Sequence, residues 1–192
     1  MPSPYDDDLW RLVPEEPGPP PTHLAAFVEE LGRVGAALDM GCGDGRLSAL
    51  LDAEQLTLAD VSDVALERAA RRLPAARTVA LEPDAPLPLP DNAFDLVLCA
   101  ETIEHVRDVQ LLLSEVRRVL RPGGRLAITT PAHSRLTGLD LLARGFERRF
   151  PPLSPHLRFL TRRSLRDLLD DLGFEPGPIR RSGGSLLALA TS

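Results

Sequence analysis

Apolar and polar residues fall in blocks along this chain, and the spacing changes from block to block. Leu24, Phe27, Val28 and Leu31 recur at helical intervals; Thr22 offers an N-cap, and Gly32 and Gly35 close the run. Residues 36–40 form a short apolar strand that runs into Gly41-Cys42-Gly43-Asp44-Gly45. Leu47, Leu50 and Leu51 predict a helix directly after that turn. The alternation then repeats. Residues 56–59 read as a strand ending at Asp60, and Ser62 caps a helix running to Leu73, where Pro74 stops it. Residues 77–81 are a third strand, a proline-rich loop follows, and residues 94–100 are a fourth strand, apolar almost throughout. Asp108 caps a helix with Leu112, Leu113, Val116, Val119 and Leu120 on one face. Pro122-Gly123-Gly124 turns the chain into a strand over residues 125–130.

Strands separated by single helices predict an α/β chain with a parallel sheet covered on both faces. Residues 131–160 break the rhythm and read as an insertion on the substrate side of the sheet. Thr161 caps a last helix carrying Leu165, Leu168, Leu169 and Leu172, with Gly173 at its end. Two closing strands, 175–181 and 186–190, are joined by Ser182-Gly183-Gly184 and must therefore be antiparallel. Residues 1–21 are polar and then proline-rich, an extended arm and a candidate flap over a single domain spanning 22–192.

Composition narrows the class. The chain has 192 residues, 43% apolar and 4% aromatic, which suits one domain with an ordinary core. No apolar run reaches the roughly 18–20 residues of a membrane span. The N-terminus is acidic where a signal peptide would be basic and then apolar. Two cysteines, Cys42 and Cys99, make no disulfide framework, so the expected compartment is a reducing cytoplasm. The net charge of −6 argues against general nucleic-acid binding. Eight arginines against Asp140 and Glu147 between Arg135 and Arg166 form a local basic segment that reads first as a solvated face. It could also attract an anionic acceptor. Monomer and homodimer both remain open.

The glycine turn carries the first chemistry. Glycine there lets a ligand approach the backbone without a Cβ in the way. A nicotinamide site would have glycine at position 46, where arginine stands, and a Walker loop needs a lysine, which this chain lacks entirely. Asp39 before Gly41-x-Gly43-x-Gly45 suits a smaller cofactor with an amino acid part, whose ammonium needs an acidic partner. Asp60, ending the next strand, can accept both hydroxyls of a ribose. Asp84, after the third strand, can accept from an adenine amino group.

These residues, together with Asp84-Ala85-Pro86-Leu87-Pro88, Phe94-Asp95-Leu96-Val97 and Leu120-Arg121-Pro122-Gly123-Gly124, resemble the successive motifs of class I S-adenosylmethionine-dependent methyltransferases. The resemblance covers roughly residues 34–190. It implies a Rossmann-like, doubly wound, seven-stranded and mostly parallel sheet with an antiparallel last strand. It also implies S-adenosyl-L-methionine as donor and S-adenosyl-L-homocysteine as product. Asp39, Gly41, Cys42, Gly43 and Gly45 would take the methionine part, Asp60 and Val61 the ribose, and Asp84 and Ala85 the adenine. Ala100 and Glu101 would border the sulfonium.

Glu101-Thr102-Ile103-Glu104-His105 follows the fourth strand, at the edge where open α/β sheets bind ligands. His105 is a candidate general base, assisted by Glu104. Two carboxylates and an imidazole also suit Mg²⁺ or Mn²⁺ before Zn²⁺. The segment resembles two branches of the family. One comprises ubiquinone-biosynthesis O-methyltransferases. The other comprises small-RNA terminal 2′-O-methyltransferases, in which Glu-x-x-Glu-His and a later histidine hold a metal. That resemblance makes Glu101, Glu104, His105 and His156 the candidate ligands. His133 could line the same mouth, and His23 reads as a surface helix residue.

Leu136, Leu139, Leu141, Leu142, Phe146 and Phe150 give the insertion an apolar side. Its continuation through Phe159-Leu160-Thr161 resembles bacterial methyltransferases of sugar or secondary-metabolite pathways. After Thr129-Thr130-Pro131 the chain departs from the RNA branch, and its few aromatics leave little for bases to stack on. The leading expectation is methyl transfer to a small-molecule acceptor at oxygen, in a sugar, quinol or secondary-metabolite pathway. The alternatives are a metal-dependent RNA 2′-O-methyltransferase and a non-catalytic cofactor-binding subunit.

Overall fold

The computed structural model describes residues 4–134, 137 and 156–192. Its strands are β1 (Val34–Met40), β2 (Ala53–Asp60), β3 (Arg77–Ala80), β4 (Phe94–Ala100), β5 (Leu120–Pro131), β6 (Glu175–Pro176), β7 (Arg180–Ser182) and β8 (Ser185–Thr191). The helices are α1 (Pro4–Leu12), α2 (Thr22–Glu29), α3 (Asp63–Arg72), α4 (Val109–Val119) and α5 (Arg162–Asp171).

One sheet runs in the order β3-β2-β1-β4-β5-β8-β6, with β7 also on β8. The pairs from β3 to β5 are parallel, and β8 is antiparallel to its neighbours. Seven positions across the sheet thus hold eight segments, because the outer closing strand is interrupted between Pro176 and Arg180. Gly183-Gly184, with φ of +56° and +94°, makes the two-residue turn between β7 and β8.

The strands are apolar on both sides because both faces are covered. Successive side chains point to opposite faces. Leu38, Val97, Cys99, Leu126 and Ile128 join the core under Leu113, Val116 and Val119 of α4 and Leu165 and Leu169 of α5. Ala37, Leu96, Leu98 and Ala127 join the opposite core with Leu24, Phe27 and Val28 of α2. Three sequence-predicted caps are present: Ser62, Asp108 and Thr161 each accept from a first-turn backbone N–H.

Four expectations change. Thr22 is the first helical residue of α2, not its cap; Pro21 precedes it without a side-chain bond. Gly35 lies inside β1, where its missing Cβ admits the Asp95 carboxylate, and Asp95 accepts from the Ala36 N–H at 2.8 Å. The helix expected after the glycine turn is a single 3-10 turn, Ser48–Leu50, because β2 begins at Ala53 and leaves no room for more. The arm expected to be extended is helical over Pro4–Leu12. Of the insertion, Leu136, Leu139, Leu141, Leu142, Phe146 and Phe150 lie outside the described residues, as do Arg135, Arg144, Arg148 and Arg149. Among the described residues, no helix is long and apolar enough to cross a membrane.

Candidate active site

The chain leaves β1 toward β2 and β3 on one side and returns to β4 on the other. The carboxyl ends of β1 and β4 therefore flank a crevice, the usual ligand position in an open α/β sheet. Met40-Gly41 and Ala100-Glu101 stand there. A cavity of about 690 Å³ opens at this point, walled by Gly41, Asp60, Val61, Asp84, Ala85, Glu101 and His105, among others.

The glycine turn has three different neighbours. Gly41 has φ +74°, and a Cβ there would lie 2.4 Å from the Thr102 side chain. Gly43 has φ +54°, and a Cβ there would lie 2.6 Å from the Trp10 ring. Both positions combine a left-handed backbone with a filled space, so only glycine fits. Gly45 instead faces Ala69 of α3. Cys42 is buried with Leu58, Leu66 and Ala69, and burial pushes its thiol pKa far up. Asp44 is clamped by Arg46 at 3.0 Å and Arg72 at 3.3 Å, which brace the turn from behind.

Asp39 does not reach the cavity wall. It is buried beneath the turn, and its Oδ2 accepts from Ser48 Oγ at 2.6 Å. Its Oδ1 has no hydrogen-bond partner among the described residues. Burial is the main reason its pKa rises from 3.8 to about 7. Cys42, Gly43, Gly45 and Ala100 are likewise absent from the wall. They shape it through the backbone, because the turn presents only Gly41 to the cavity.

Asp60 is the best-built acid of the crevice. Its Oδ2 accepts the Gly43 N–H at 2.9 Å and its Oδ1 the Ser62 N–H at 3.0 Å. A carboxylate has about four acceptor positions. Two are used, and each oxygen keeps capacity for a donor in the cavity. Burial raises the Asp60 pKa, while these backbone bonds oppose the rise. Asp84 is exposed at the far end, at φ +56°, with its carboxylate 3.1 Å from Arg107 Nε.

The Glu-x-x-Glu-His segment turns sharply. Glu101 has φ +50°, a left-handed conformation that costs a non-glycine residue on the order of 1–3 kcal/mol. Thr129 holds it there: its backbone oxygen accepts the Glu101 N–H at 3.0 Å, and its hydroxyl donates to Glu101 Oε1 at 3.0 Å. Glu101 is not among the residues whose candidate ligand atoms cluster. Glu104 is buried, and Thr130 Oγ1 donates to its Oε2 at 3.1 Å. Burial first, and then the charge of Glu101, push the Glu104 pKa up to about 7. The Glu104 carbonyl accepts the Leu157 N–H at 2.8 Å, which carries the neighbouring His156 to His105. The two imidazole rings meet edge to face at 4.8 Å. Burial, and then His105, lower the pKa of His156.

Glu104, His105 and His156 therefore form one cluster, with candidate ligand atoms within 4.8 Å of one another. The four-residue set expected from sequence becomes three, without Glu101. His133 stacks edge-on against Phe159, with centroids 5.2 Å apart, and is not among the residues walling the cavity. His23 is half-buried against the β7–β8 turn, with Nε2 3.5 Å from Ser185 Oγ.

Sequence reasoning missed one side of the cavity. Tyr5, Asp6, Leu9 and Trp10 of α1 line it, as do Thr102, Leu111, Leu112 and Leu157. The acidic start and the Leu9-Trp10 pair could have signalled a short amphipathic helix, but the following prolines mask the period.

Residues 38–128 match a family model described as a methyltransferase domain. A probable S-adenosylmethionine-dependent methyltransferase of Mycolicibacterium smegmatis is 35% identical over 141 residues, which is 72% of this chain and 51% of the relative. The 27-O-demethylrifamycin SV methyltransferase of Amycolatopsis mediterranei is 39% identical over 100 residues, 47% of this chain and 36% of that one. The chain spans about half the length of the first curated relatives it matches. A putative methyltransferase from Bacillus halodurans has the same fold, with a TM-score of 0.74 at 16% identity over 89% of this chain and 99% of that one. Sheet order, glycine turn and sequence matches agree: residues 38–128 match a methyltransferase domain, and the chain is similar to S-adenosylmethionine-dependent methyltransferases on a shared fold.

Proposed function

We propose that the chain transfers the methyl group of S-adenosyl-L-methionine to an oxygen of a small-molecule acceptor. Asp60 carries this reading. Two backbone donors fix its carboxylate, and its remaining acceptor capacity faces a cavity large enough for the donor. In this reading Asp60 and Val61 hold the ribose, Asp84 and Ala85 the adenine end, and Gly41 the methionine part. Ala100 and Glu101 border the sulfonium. The wall is also acidic: Asp6, Asp60, Glu82, Asp84, Glu101 and Asp108 outnumber Arg107. The donor, with its ammonium, sulfonium and carboxylate, has one net positive charge, and the demethylated product has none. Such a wall favours the donor over the product and assists turnover.

The chemistry asks for alignment and little else. The acceptor oxygen attacks the methyl carbon in line, a C–O bond forms as the C–S bond breaks, and the acceptor's proton passes to His105. His105 lines the cavity, and the buried Glu104 Oε1 lies 3.9 Å from its Nε2, where it steadies the imidazolium. The named substrate of the Amycolatopsis relative supports an acceptor of this class. Once a screen with methyl-labelled donor has found an accepted small molecule, His105→Ala is expected to lower kcat by about 10²–10⁴-fold. Its affinity for S-adenosyl-L-homocysteine should stay within about two-fold. Unchanged turnover would remove His105 from the reaction.

The Glu104-His105-His156 cluster favours a second reading, metal-dependent methylation of an RNA 2′-oxygen. A bound Mg²⁺ or Mn²⁺ would hold the acceptor oxygen and ease loss of its proton. Two ligands on one ion at about 2.1 Å are at most about 4.2 Å apart. The observed spread of up to 4.8 Å must contract for that, which ranks this reading second. Chelator treatment of an active preparation separates the two. Unchanged turnover supports His105 as the base; loss that Mn²⁺ restores, with RNA as the accepted substrate, supports the metal. Cofactor binding with no turnover on either class of acceptor would mark a non-catalytic subunit.

A further inference from the structure

We propose that α1 is a cofactor-binding element, with Trp10 as the wall that closes the glycine-turn side of the pocket and Asp7 as its latch. The inference rests on the cofactor reading above and extends it to a segment outside the matched region, residues 38–128. An isolated helix of nine residues is unstable in water, and α1 has no buried residue of its own. It is held by specific bonds to the cofactor side of the domain. Asp7 Oδ1 accepts from Ser62 Oγ at 2.6 Å and from the Val64 N–H at 3.2 Å. Ser62 is the cap of α3 and follows Asp60 by two residues, so the latch closes beside the proposed ribose site. The Ser62 bond first, against the opposing effect of burial and with help from the Val64 N–H and the Arg11 charge, holds the Asp7 carboxyl below its ordinary pKa. Arg68 Nη1 then ties down the chain after α1, donating to the Val13 carbonyl at 2.9 Å and the Pro14 carbonyl at 3.3 Å. Arg46, on the glycine turn itself, donates to the Gly18 carbonyl at 2.9 Å.

These anchors place the α1 side chains against the pocket. The Trp10 ring lies so close to Gly43 that no Cβ would fit between them. Tyr5, Asp6, Leu9 and Trp10 all face the cavity that Gly41 and Asp60 face from below. Trp10 excludes water from the glycine-turn end of the ligand, and Asp6 brings a second carboxylate toward Asp60, whose pKa it helps to raise. Two acids facing one pocket repel each other. A donor of net positive charge eases that repulsion through the field of the whole pocket, so its binding and the docking of α1 reinforce each other.

Trp10 is the chain's single tryptophan, so its emission reports on this wall alone. S-adenosyl-L-homocysteine is titrated into the full chain and followed in parallel by tryptophan fluorescence and by calorimetry. The proposal expects a saturable change in emission with the same Kd as the heat signal. It also expects Asp7→Ala, which leaves the pocket lining intact, to weaken binding by at least about five-fold through a faster off-rate. Trp10→Ala should weaken it by at least about ten-fold, with Trp10→Phe restoring most of the loss. Calorimetric binding with unchanged emission, and with Asp7→Ala and Trp10→Ala binding as tightly as the parent, overturns the role of α1 and leaves the cofactor reading standing. Absence of calorimetric binding to the folded parent chain overturns the cofactor reading and this inference with it.

Discussion

Asp60→Ala is expected to weaken binding of S-adenosyl-L-homocysteine by about 10²–10⁴-fold. The magnitude follows from two hydrogen bonds to a charged acceptor, each contributing about 1.5–3 kcal/mol. Calorimetry on parent and variant measures it. The carboxylate also receives the Gly43 and Ser62 backbone donors, so part of the loss could travel through the glycine turn. A ligand lacking the ribose hydroxyls separates the two routes. If Asp60 holds the sugar, that ligand binds the parent chain more weakly than the full compound does, yet shows no further penalty in Asp60→Ala. Equal penalties in parent and variant would place the sugar elsewhere. Melting temperatures of the two proteins check that the variant is folded.

Asp39→Asn is expected to stabilise the chain, and by more as pH rises. Burial lifts the Asp39 pKa to about 7, so the folded state keeps a proton that the unfolded chain releases near pH 4. Below about pH 4 both states hold it, and the site costs nothing. Between about pH 4 and 7 only the folded state holds it, so stability falls as pH rises. Above about pH 7 the full cost is present, on the order of 4 kcal/mol. Asparagine has no such proton to lose and can still accept from Ser48 through its amide oxygen. Urea unfolding of both proteins should show the gap widening by about 3 kcal/mol from pH 5 to pH 8. Other titrating groups cancel in the comparison. A gap independent of pH would mean that Asp39 ionises freely in the fold.

The strands were legible because a sheet covered on both faces demands apolar runs, and these are bounded by glycine, proline and capping residues. Residues 94–100 coincide with β4, and Ser62, Asp108 and Thr161 act as caps because each side chain has a first-turn N–H within reach. The turn at Pro122-Gly124 was less legible. β5 already begins at Leu120, and its pairing to β4 slips between Phe94 and Leu96, so the glycines make a bulge in a strand, not a boundary before one.

The crevice was legible where a residue's placement depends on its own position along the chain, as for Gly41 and Asp60, which both wall the cavity. It was not legible where function depends on what another segment does. Asp39 has the motif position of a ligand contact, yet the short turn after it buries its carboxylate against Ser48. Glu101 has the spacing of a metal ligand, yet Thr129 on the neighbouring strand takes its carboxylate. Trp10 could not be placed at all, because its partners, Gly43 and the latch at Ser62, are far along the chain.

A crystal structure of the chain bound to S-adenosyl-L-homocysteine decides where the donor sits. The ribose hydroxyls are expected about 2.6–3.0 Å from the two oxygens of Asp60, with the homocysteine part against Gly41. A ligand bound elsewhere, or bound in the crevice with its sugar away from Asp60, would contradict that placement.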